Sequence, residues 1–597
     1  MKAVITTFQR MSLHDGPGIR TTLFLKGCNF RCAWCHNPET LLQSPQLQHI
    51  SSKCVSCGSC LSSCPHNALS LSDGRLMIDR QKCTVCGQCV PTCPNRALNV
   101  IGREISVEEA LDVFMEDKIF YDTSGGGITV SGGEPFMQNE FVIELLKQCR
   151  NAGLHTAVET NLSLPWERFR AALPYGDLYA RTPALDALAK DASVYLRAYC
   201  QQALSGPSRA SILTGLYPGD NGVTELNTWI RKKNPDLVTL PQAFREAGYH
   251  TASVGKTFHG SRNTLDSLSW SQAPRLYKYG KSDEYMETYN RTGRKAASYE
   301  FHDGPEEDYL DVRICSEALN CLDSLAKGDN PFFLAVGFLK PHLPFCAPKR
   351  FLDMYDEVDF GVTDTARISG APLLAYHDSN ELRGYVDVGH SVIDDSMLKK
   401  AYYACTTFAD ENIGRLIGRL KELGLYEDTA IVVLGDHGYH TGEQGLWCKS
   451  TNYEAACRAP LLIKGAGSCQ GRKVEQPVEF TDVFPTLTGM CGVSAPENLP
   501  GKDLLNLDER GEHYAFSQFP RPYAALHRAS ARTHMGYAVR DSRWRYIEWY
   551  DLEGRLVETE LYDLQENLLE TENLSGHPSV EDAESRLRAV LEEYCKR

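Results

Sequence analysis

The chain has 597 residues, 42% of them hydrophobic, a formal net charge of −15 and 22 cysteines. That length holds several domains with ample cores, and the acidic balance argues against nucleic-acid or anionic-membrane partners. No run of about 18 apolar residues marks a membrane span, and the start, Met1 to Thr7, lacks the apolar stretch of a signal peptide. This reading places the chain in the cytoplasm, where clustered cysteines serve as metal ligands rather than disulfides.

Eleven of the 22 cysteines lie between Cys28 and Cys93. The first run, Cys28, Cys32 and Cys35, has C-x3-C-x2-C spacing. Two later runs, Cys54, Cys57, Cys60, Cys64 and Cys83, Cys86, Cys89, Cys93, have C-x2-C-x2-C-x3-C spacing, each followed by proline. This is the bacterial ferredoxin pattern, in which the fourth cysteine of each run ligates the other run's cluster. A pair of zinc sites is the alternative, but the doubled spacing with its proline favours two cubanes acting as an electron relay. A four-iron cluster on the three thiolates of the first run leaves one iron open to a small molecule. The scattered cysteines, such as Cys149, Cys200 and Cys405, read as small buried hydrophobes.

The first run stands between His14-Asp-Gly-Pro-Gly-Ile-Arg20 and His36-Asn-Pro-Glu39, and Ser131-Gly-Gly-Glu-Pro135 follows the apolar stretch Ile128 to Val130. These features resemble the radical S-adenosylmethionine (SAM) activases of glycyl-radical enzymes that carry a ferredoxin insert. The resemblance implies that Cys28, Cys32 and Cys35 hold the SAM-binding [4Fe-4S] cluster, so that the chain carries three clusters. It implies that Ser131, Gly132, Gly133 and Glu134 contact SAM. It covers residues 1–177, with the insert at about 45–100, and then stops. Leu154 to Glu159 reads as one more strand and Trp166 to Leu173 as the helix after it, a partial (β/α) barrel with exposed edges.

From about Tyr179 a second pattern begins. Ser205-Gly-Pro-Ser-Arg209 leads into Leu213-Thr-Gly215. Serine near such a proline is an ordinary helix start, which places Ser205 and Arg209 at an anion-friendly helix terminus. Four segments follow in order: Lys256 with His259, then Leu339-Lys-Pro-His342, then the apolar strand Ile431 to Leu434 ending in Asp436-His437-Gly438, then Lys449. This series resembles the sulfatases, most nearly the iduronate-2-sulfatase type. The resemblance implies that Ser205 is converted to formylglycine by a maturase. It implies that Arg209, Lys256, His259 and Lys449 bind the sulfate and that His342 protonates the leaving alcohol. It implies that Asp436 and His437 hold a divalent cation, Ca²⁺ by family, and that the substrate is a sulfated carbohydrate. His440 reads either as a substrate contact or as a plain loop residue.

The expected fold is α/β, an alkaline-phosphatase/sulfatase-like, mainly parallel sheet sandwich over residues 178–500 with a small α+β subdomain at 501–597, all preceded by the partial radical-SAM barrel. Sulfatases open with a strand ending in two metal-binding aspartates. Counting back from Arg181-Thr-Pro183 places that pair on Glu167-Arg168, inside the activase-like helix. Pro174-Tyr-Gly-Asp177 suits both patterns, which marks a deletion, recombination or assembly join between two genes; a functional fusion is the alternative. The main reading is therefore a sulfatase impaired by loss of its first strand, and the other is a radical-SAM activase with a hydrolase passenger.

Overall fold

The computed structural model describes every residue except 1, 33–34, 162–178, 292–294, 359, 361–362, 389–393, 466–470, 508–510, 566–568 and 597. The Glu167-Arg168 pair, the expected helix from Trp166 and the shared Pro174 to Asp177 segment lie outside the described residues. The chain divides into two compact units, Met1–Leu178 and Tyr179–Arg597.

The first unit is built on a five-stranded sheet in the order Arg103–Ser106, Lys2–Ser12, Arg20–Leu25, Gly127–Gly132, Thr156–Val158. The last three strands run parallel, and the helix Asn139–Asn151 crosses between the final two. Leu23, Leu25, Ile128 and Val130 fill the core beneath that helix, as expected of a parallel sheet covered on its face. The helix Val107–Glu116 starts on a capping box, Ser106 with Glu109. The turn after Gly127–Gly132 passes so close to the neighbouring strand end that a Cβ on Gly133 would lie 2.1 Å from the Gly27 carbonyl oxygen. Two small antiparallel pairs, Gln46–His49 with Leu98–Ile101 and the hairpin Leu69–Ser72 with Arg75–Ile78, carry the cysteine-rich insert.

The second unit is α/β, with parallel pairs, a mixed sheet and a separate antiparallel sheet. His250–Gly255 pairs in parallel with Phe332–Gly337, and Tyr299–His302 with Phe345–Pro348. A four-stranded run orders Ile431–Leu434, Leu461–Lys464, Ser193–Tyr195 and Lys473–Val474. Among the described residues, Phe332–Gly337 and Ile431–Leu434 are not paired with each other. Yet they feed the same two layers. Phe332, Leu334 and Ile431 pack with Leu322, Leu420 and Tyr426, while Phe333, Ala335, Val432 and Leu434 pack on the main core. All four residues of Ile431–Leu434 are half-buried, whereas all four of Leu461–Lys464 are buried. The described sheet thus has a break between two strands that share both faces.

The C-terminal sheet is antiparallel, in the order Ala515–Arg521, His534–Arg540, Trp544–Asp551, Leu556–Asp563. The helix Glu581–Cys595 buries Leu587 and Leu591 against Val539, Tyr546 and Leu561 of this sheet. Among the described residues, no helix is long and apolar enough to cross a membrane.

Candidate functional site

In the cysteine-rich insert the chain wraps two cavities. One is lined by Cys54, Cys57, Cys60 and Cys93, the other by Cys64, Cys83, Cys86 and Cys89. Each therefore takes three thiols from one run and the fourth from the other. The wrapping needs left-handed turns at matching places, Ser56 and Val85 (both φ +56°), Asn67 (+49°) and Arg96 (+50°). A β-branched residue such as Val85 rarely accepts that conformation. The crossing cysteines are matched too, since the Ala68 amide donates to Cys64 Sγ (3.3 Å) and the Ala97 amide to Cys93 Sγ (3.2 Å). Burial pushes the Cys60 and Cys89 thiols up, so ligation there displaces protons. The donor set fits two four-iron clusters.

Near the three-cysteine run, the Asn161 amide nitrogen lies 3.9 Å from Cys28 Sγ and donates to Asn29 Oδ1 at 3.2 Å. Glu134 is fully buried. Its carboxylate accepts from the Phe136 amide (3.1 Å), Thr160 Oγ1 (2.8 Å) and the Asn161 amide (2.8 Å). Glu134 thus braces the loop that carries Ser131, and the Ser131 hydroxyl donates to Glu159.

In the second unit, Ser205 is the first residue of the helix Ser205–Thr214, and Leu204 occupies the cap position. Its hydroxyl does not cap the helix. It lies 3.2 Å from His437 Nε2. His437 Nδ1 meets the Gly438 carbonyl at 2.8 Å, and a carbonyl only accepts, so Nδ1 carries the proton and Nε2 accepts from Ser205. Arg209, one turn along, donates from Nε to Asp436 Oδ2 at 2.7 Å and from Nη1 to the carbonyls of Lys256 and Thr257. Gly255 makes that approach feasible: φ is +74°, and a Cβ there would lie 2.3 Å from the Gly337 carbonyl oxygen.

His342 comes from the loop after Phe332–Gly337, and its Nε2 lies 3.3 Å from Lys449 Nζ. Burial and then Lys449 push His342 down to about 3, against the opposing Glu381 carboxylate. Burial, then Lys256 and Arg209, push His259 down to about 3. Burial and Arg209 lower Lys256 to about 8. Burial alone would raise Asp436, but Arg209, His437 and Lys256 outweigh it and hold the carboxylate well below its usual range. The eight residues Ser205, Arg209, Lys256, His259, His342, Asp436, His437 and Lys449 are therefore linked in one connected set of hydrogen bonds and charge contacts. One buried polar atom among them, His259 Nδ1, has no hydrogen-bond partner.

His440 is fully buried and shares a hydrogen bond with Thr451 through Nε2 (2.9 Å). Glu381 escaped the sequence reading. It accepts from Lys449 Nζ at 2.6 Å and lies 3.0 Å from His342 Nε2. Its short helix, Asn380–Arg383, carries no motif. The strained backbone around Lys449, Cys448 at φ +74° and Ser450 at +82°, was equally invisible, because neither is a residue type that advertises positive φ.

A divalent cation fits poorly. Asp436 is engaged by Arg209, and among the described residues no three His, Cys, Asp or Glu side chains group as a metal site. Hard cations such as Ca²⁺ take six to eight oxygens.

Residues 166–493 match the family model for sulfatases, and residues 442–597 match the C-terminal model of N-sulphoglucosamine sulphohydrolases. Residues 14–172 match a 4Fe-4S single cluster domain, so the two matches overlap at the seam. The chain is 30% identical to iduronate 2-sulfatase of Homo sapiens over 455 residues, 63% of this chain and 82% of that one. It is 45% identical over 180 residues to the (2S)-3-sulfopropanediol dehydratase activating enzyme of Klebsiella oxytoca, 29% of this chain and 57% of that enzyme. It is 48% identical over 163 residues to the benzylsuccinate synthase activating enzyme of Thauera aromatica, 26% and 49% of the two chains. The chain thus spans about half the length of these activating enzymes. Its fold is similar to the phosphonate monoester hydrolase of Silicibacter pomeroyi, with TM-score 0.58 and 24% identity over 72% of this chain and 93% of that one. It is also similar to a structure solved with its substrate D-glucosamine-2-N,6-O-disulfate, with TM-score 0.54 and 23% identity over 71% and 94%. An N-terminal 4Fe-4S part similar to glycyl-radical-enzyme activases precedes the hydrolase-like unit, and with the sulfatase match spanning more than half of its length the chain belongs to the sulfatase family.

Proposed function

We propose that the chain is a sulfuric ester hydrolase of the iduronate-2-sulfatase type, acting on a sulfated carbohydrate and held to low activity by an incomplete cation site. The observation that carries this is the placement of Ser205 Oγ 3.2 Å from His437 Nε2 at a helix N-terminus, beside Arg209, Lys256, His259, His342 and Lys449. A helix terminus and three permanent or near-permanent cations favour an anionic ester. Arg209 fixes the Asp436 carboxylate, and His437 meets the hydroxyl at position 205. Lys256 and Lys449 offset charge on the sulfate oxygens, His259 Nδ1 donates or accepts at the ester, and His342 returns a proton to the leaving alcohol. Formylglycine at position 205, made by a maturase, supplies a hydrated aldehyde whose second hydroxyl can release sulfate. Of the residues that would hold the family's Ca²⁺, only Asp436 and His437 stand in this site, and both are engaged by protein partners, so we assign the cation no step. Residues 178–500 form the catalytic part and 501–597 the terminal subdomain. The test is aryl sulfate turnover by the chain co-expressed with a serine-type maturase. Slow turnover that disappears in Ser205→Ala is expected, and turnover that survives that substitution would refute the assignment.

A second reading is favoured by the two four-cysteine cavities. Residues 1–177 act as a shortened radical-SAM activase domain, with Cys28, Cys32 and Cys35 on the SAM cluster and Ser131 to Glu134 at SAM. When bound, that cluster supplies the electron that cleaves SAM. Anaerobic reconstitution followed by 5′-deoxyadenosine release tests it, and iron without SAM cleavage would leave this part an electron relay alone.

A further inference from the structure

We propose that Glu381 is the positioning residue that gives His342 an acid form: it anchors Lys449 beside the ring and faces Nε2 as acceptor when that nitrogen carries a proton. This rests on the sulfatase reading, in which His342 serves the leaving alcohol.

His342 Nδ1 meets the Leu343 carbonyl at 2.5 Å, so Nδ1 carries a proton in either charge state. Nε2 then decides. Unprotonated, it accepts from Lys449 Nζ, 3.3 Å away. Protonated, it donates to Glu381 Oε1, 3.0 Å away. Lys449 Nζ donates to the same carboxylate oxygen at 2.6 Å. The other charged or titratable groups around the ring are Lys256 and His259 from the end of His250–Gly255, and Lys340. Lys340 Nζ donates to the His342 carbonyl at 3.2 Å and pairs with Glu284 at 3.1 Å. Lys256 and Lys449 oppose a charged ring, and Glu381 is the carboxylate in direct reach of Nε2.

Glu381 is held for this task. Its side chain is 15% exposed. Ser379, just before its helix, sits at φ +51° with its hydroxyl accepting from the Trp447 amide at 3.0 Å, and Lys295 Nζ donates to the Glu381 carbonyl at 2.6 Å. Those contacts tie the helix to the strand pair that leads into Lys449.

The experiment uses the full chain labelled with ¹⁵N-histidine, with His342→Gln to assign the ring signals. Ring-nitrogen shifts are followed against pH in the presence of inorganic sulfate for the wild type, Glu381→Gln and Glu381→Asp. The expected result is Nε2 protonation at least one pH unit lower in E381Q than in the wild type, with partial recovery in E381D. An identical titration in wild type and E381Q overturns the proposal. If E381Q does not fold, an unchanged titration in E381D overturns it. Where turnover is measurable, E381Q is expected to lose about 100-fold on an alkyl sulfate, the scale of general-acid catalysis. The loss on a nitrophenyl sulfate, whose phenolate leaves without a proton, is expected to be far smaller. Equal losses on both esters overturn the proposal too. A wild type that turns over neither ester speaks against the sulfatase reading, and the ring titration still decides Glu381.

Discussion

The two units solve the same problem, bringing polar groups together inside a protein, at different ranges. In the first, the ferredoxin-like thiols come from two short runs, and turns at Ser56, Val85, Asn67 and Arg96 bend each run around a cavity. In the second, the groups span Ser205 to Lys449 and meet where the segments after His250–Gly255, Phe332–Gly337 and Ile431–Leu434 reach the start of the helix Ser205–Thr214. A local cradle depends on spacing. A strand-end site depends on every strand beside it, and here the described sheet breaks next to Ile431–Leu434, the strand that leads to Asp436. The same seam is therefore expected to harm the hydrolytic site more than the iron–sulfur one.

The largest effect expected is from iron. Small metal-held segments draw most of their folding free energy from the metal, and the insert's core is mainly Leu47, Leu69, Leu76 and Leu98 around the cysteines. Anaerobic reconstitution should give about twelve irons per chain, four per cluster. Cys28→Ala should remove about four and leave the insert protected from proteolysis, whereas Cys60→Ala should expose the insert to cleavage. Zinc uptake with no absorbance near 400 nm would break this side of the comparison.

Next in size is the sheet. A strand ending in Asp-Asp, inserted before Tyr179, should raise cation affinity at Asp436 and His437 by about two orders of magnitude or more, because two anionic oxygens join a two-ligand site. Titration calorimetry of the two chains measures this. Equal affinities would mean that other residues complete the site and that the break in the described sheet does not matter.

The iron–sulfur unit was legible because cysteine spacing and cluster geometry are nearly the same information. The hydrolase residues were legible as an ordered set of motifs, none of them decisive alone. Three features were not. Ser205 has the residue type of a cap, but its hydroxyl turns to His437, since Leu204 already holds the cap position. Glu381 resembles any surface acid in the sequence, because burial with Lys449 is a tertiary fact. The four-residue ion network behind the site was also hidden. Glu454 pairs with Arg545 at 2.6 Å and Arg540 at 3.3 Å, and Arg545 with Glu570 at 3.2 Å.

That network ties the C-terminal sheet to the helix Glu454–Cys457 and gives the third prediction. All four side chains are 2% exposed or less. Glu454→Gln removes the carboxylate paired with Arg540 and one of the two paired with Arg545, and breaking a buried ion pair typically costs about 3–5 kcal/mol. Urea unfolding of the second unit, followed by its tryptophan signal, should show a lower midpoint by that amount. A loss below about 1 kcal/mol would show that water reaches these arginines and that the two sheets are coupled by apolar contact instead.

The smallest effect concerns pH. Burial raises Glu479 to about 8, with Asp482 adding to the rise, and burial raises Asp482 to about 6. Tyr217 Oη donates to Glu479 at 2.6 Å, and the Glu479 amide donates to Asp482 at 2.7 Å. With folded values above the unfolded carboxylate range, the folded state keeps protons that the unfolded state has released. The stability these groups contribute is therefore complete below about pH 4 and declines as pH rises toward 8. A tenfold difference in proton affinity between the two states is worth about 1.4 kcal/mol, so the second unit should lose roughly 1–3 kcal/mol between pH 5 and pH 8 from this pair. Glu479→Gln removes the group with the larger rise and should flatten the dependence, while the first unit, which has no part in the pair, serves as the internal control. Urea midpoints at the two pH values decide it. The same slope in wild type and Glu479→Gln would mean that the pair is ionised in the folded state and that Tyr217 and the backbone amides carry its charge; the comparison is between the two chains because buried His259 and His342, both held down to about 3, add stability as pH rises.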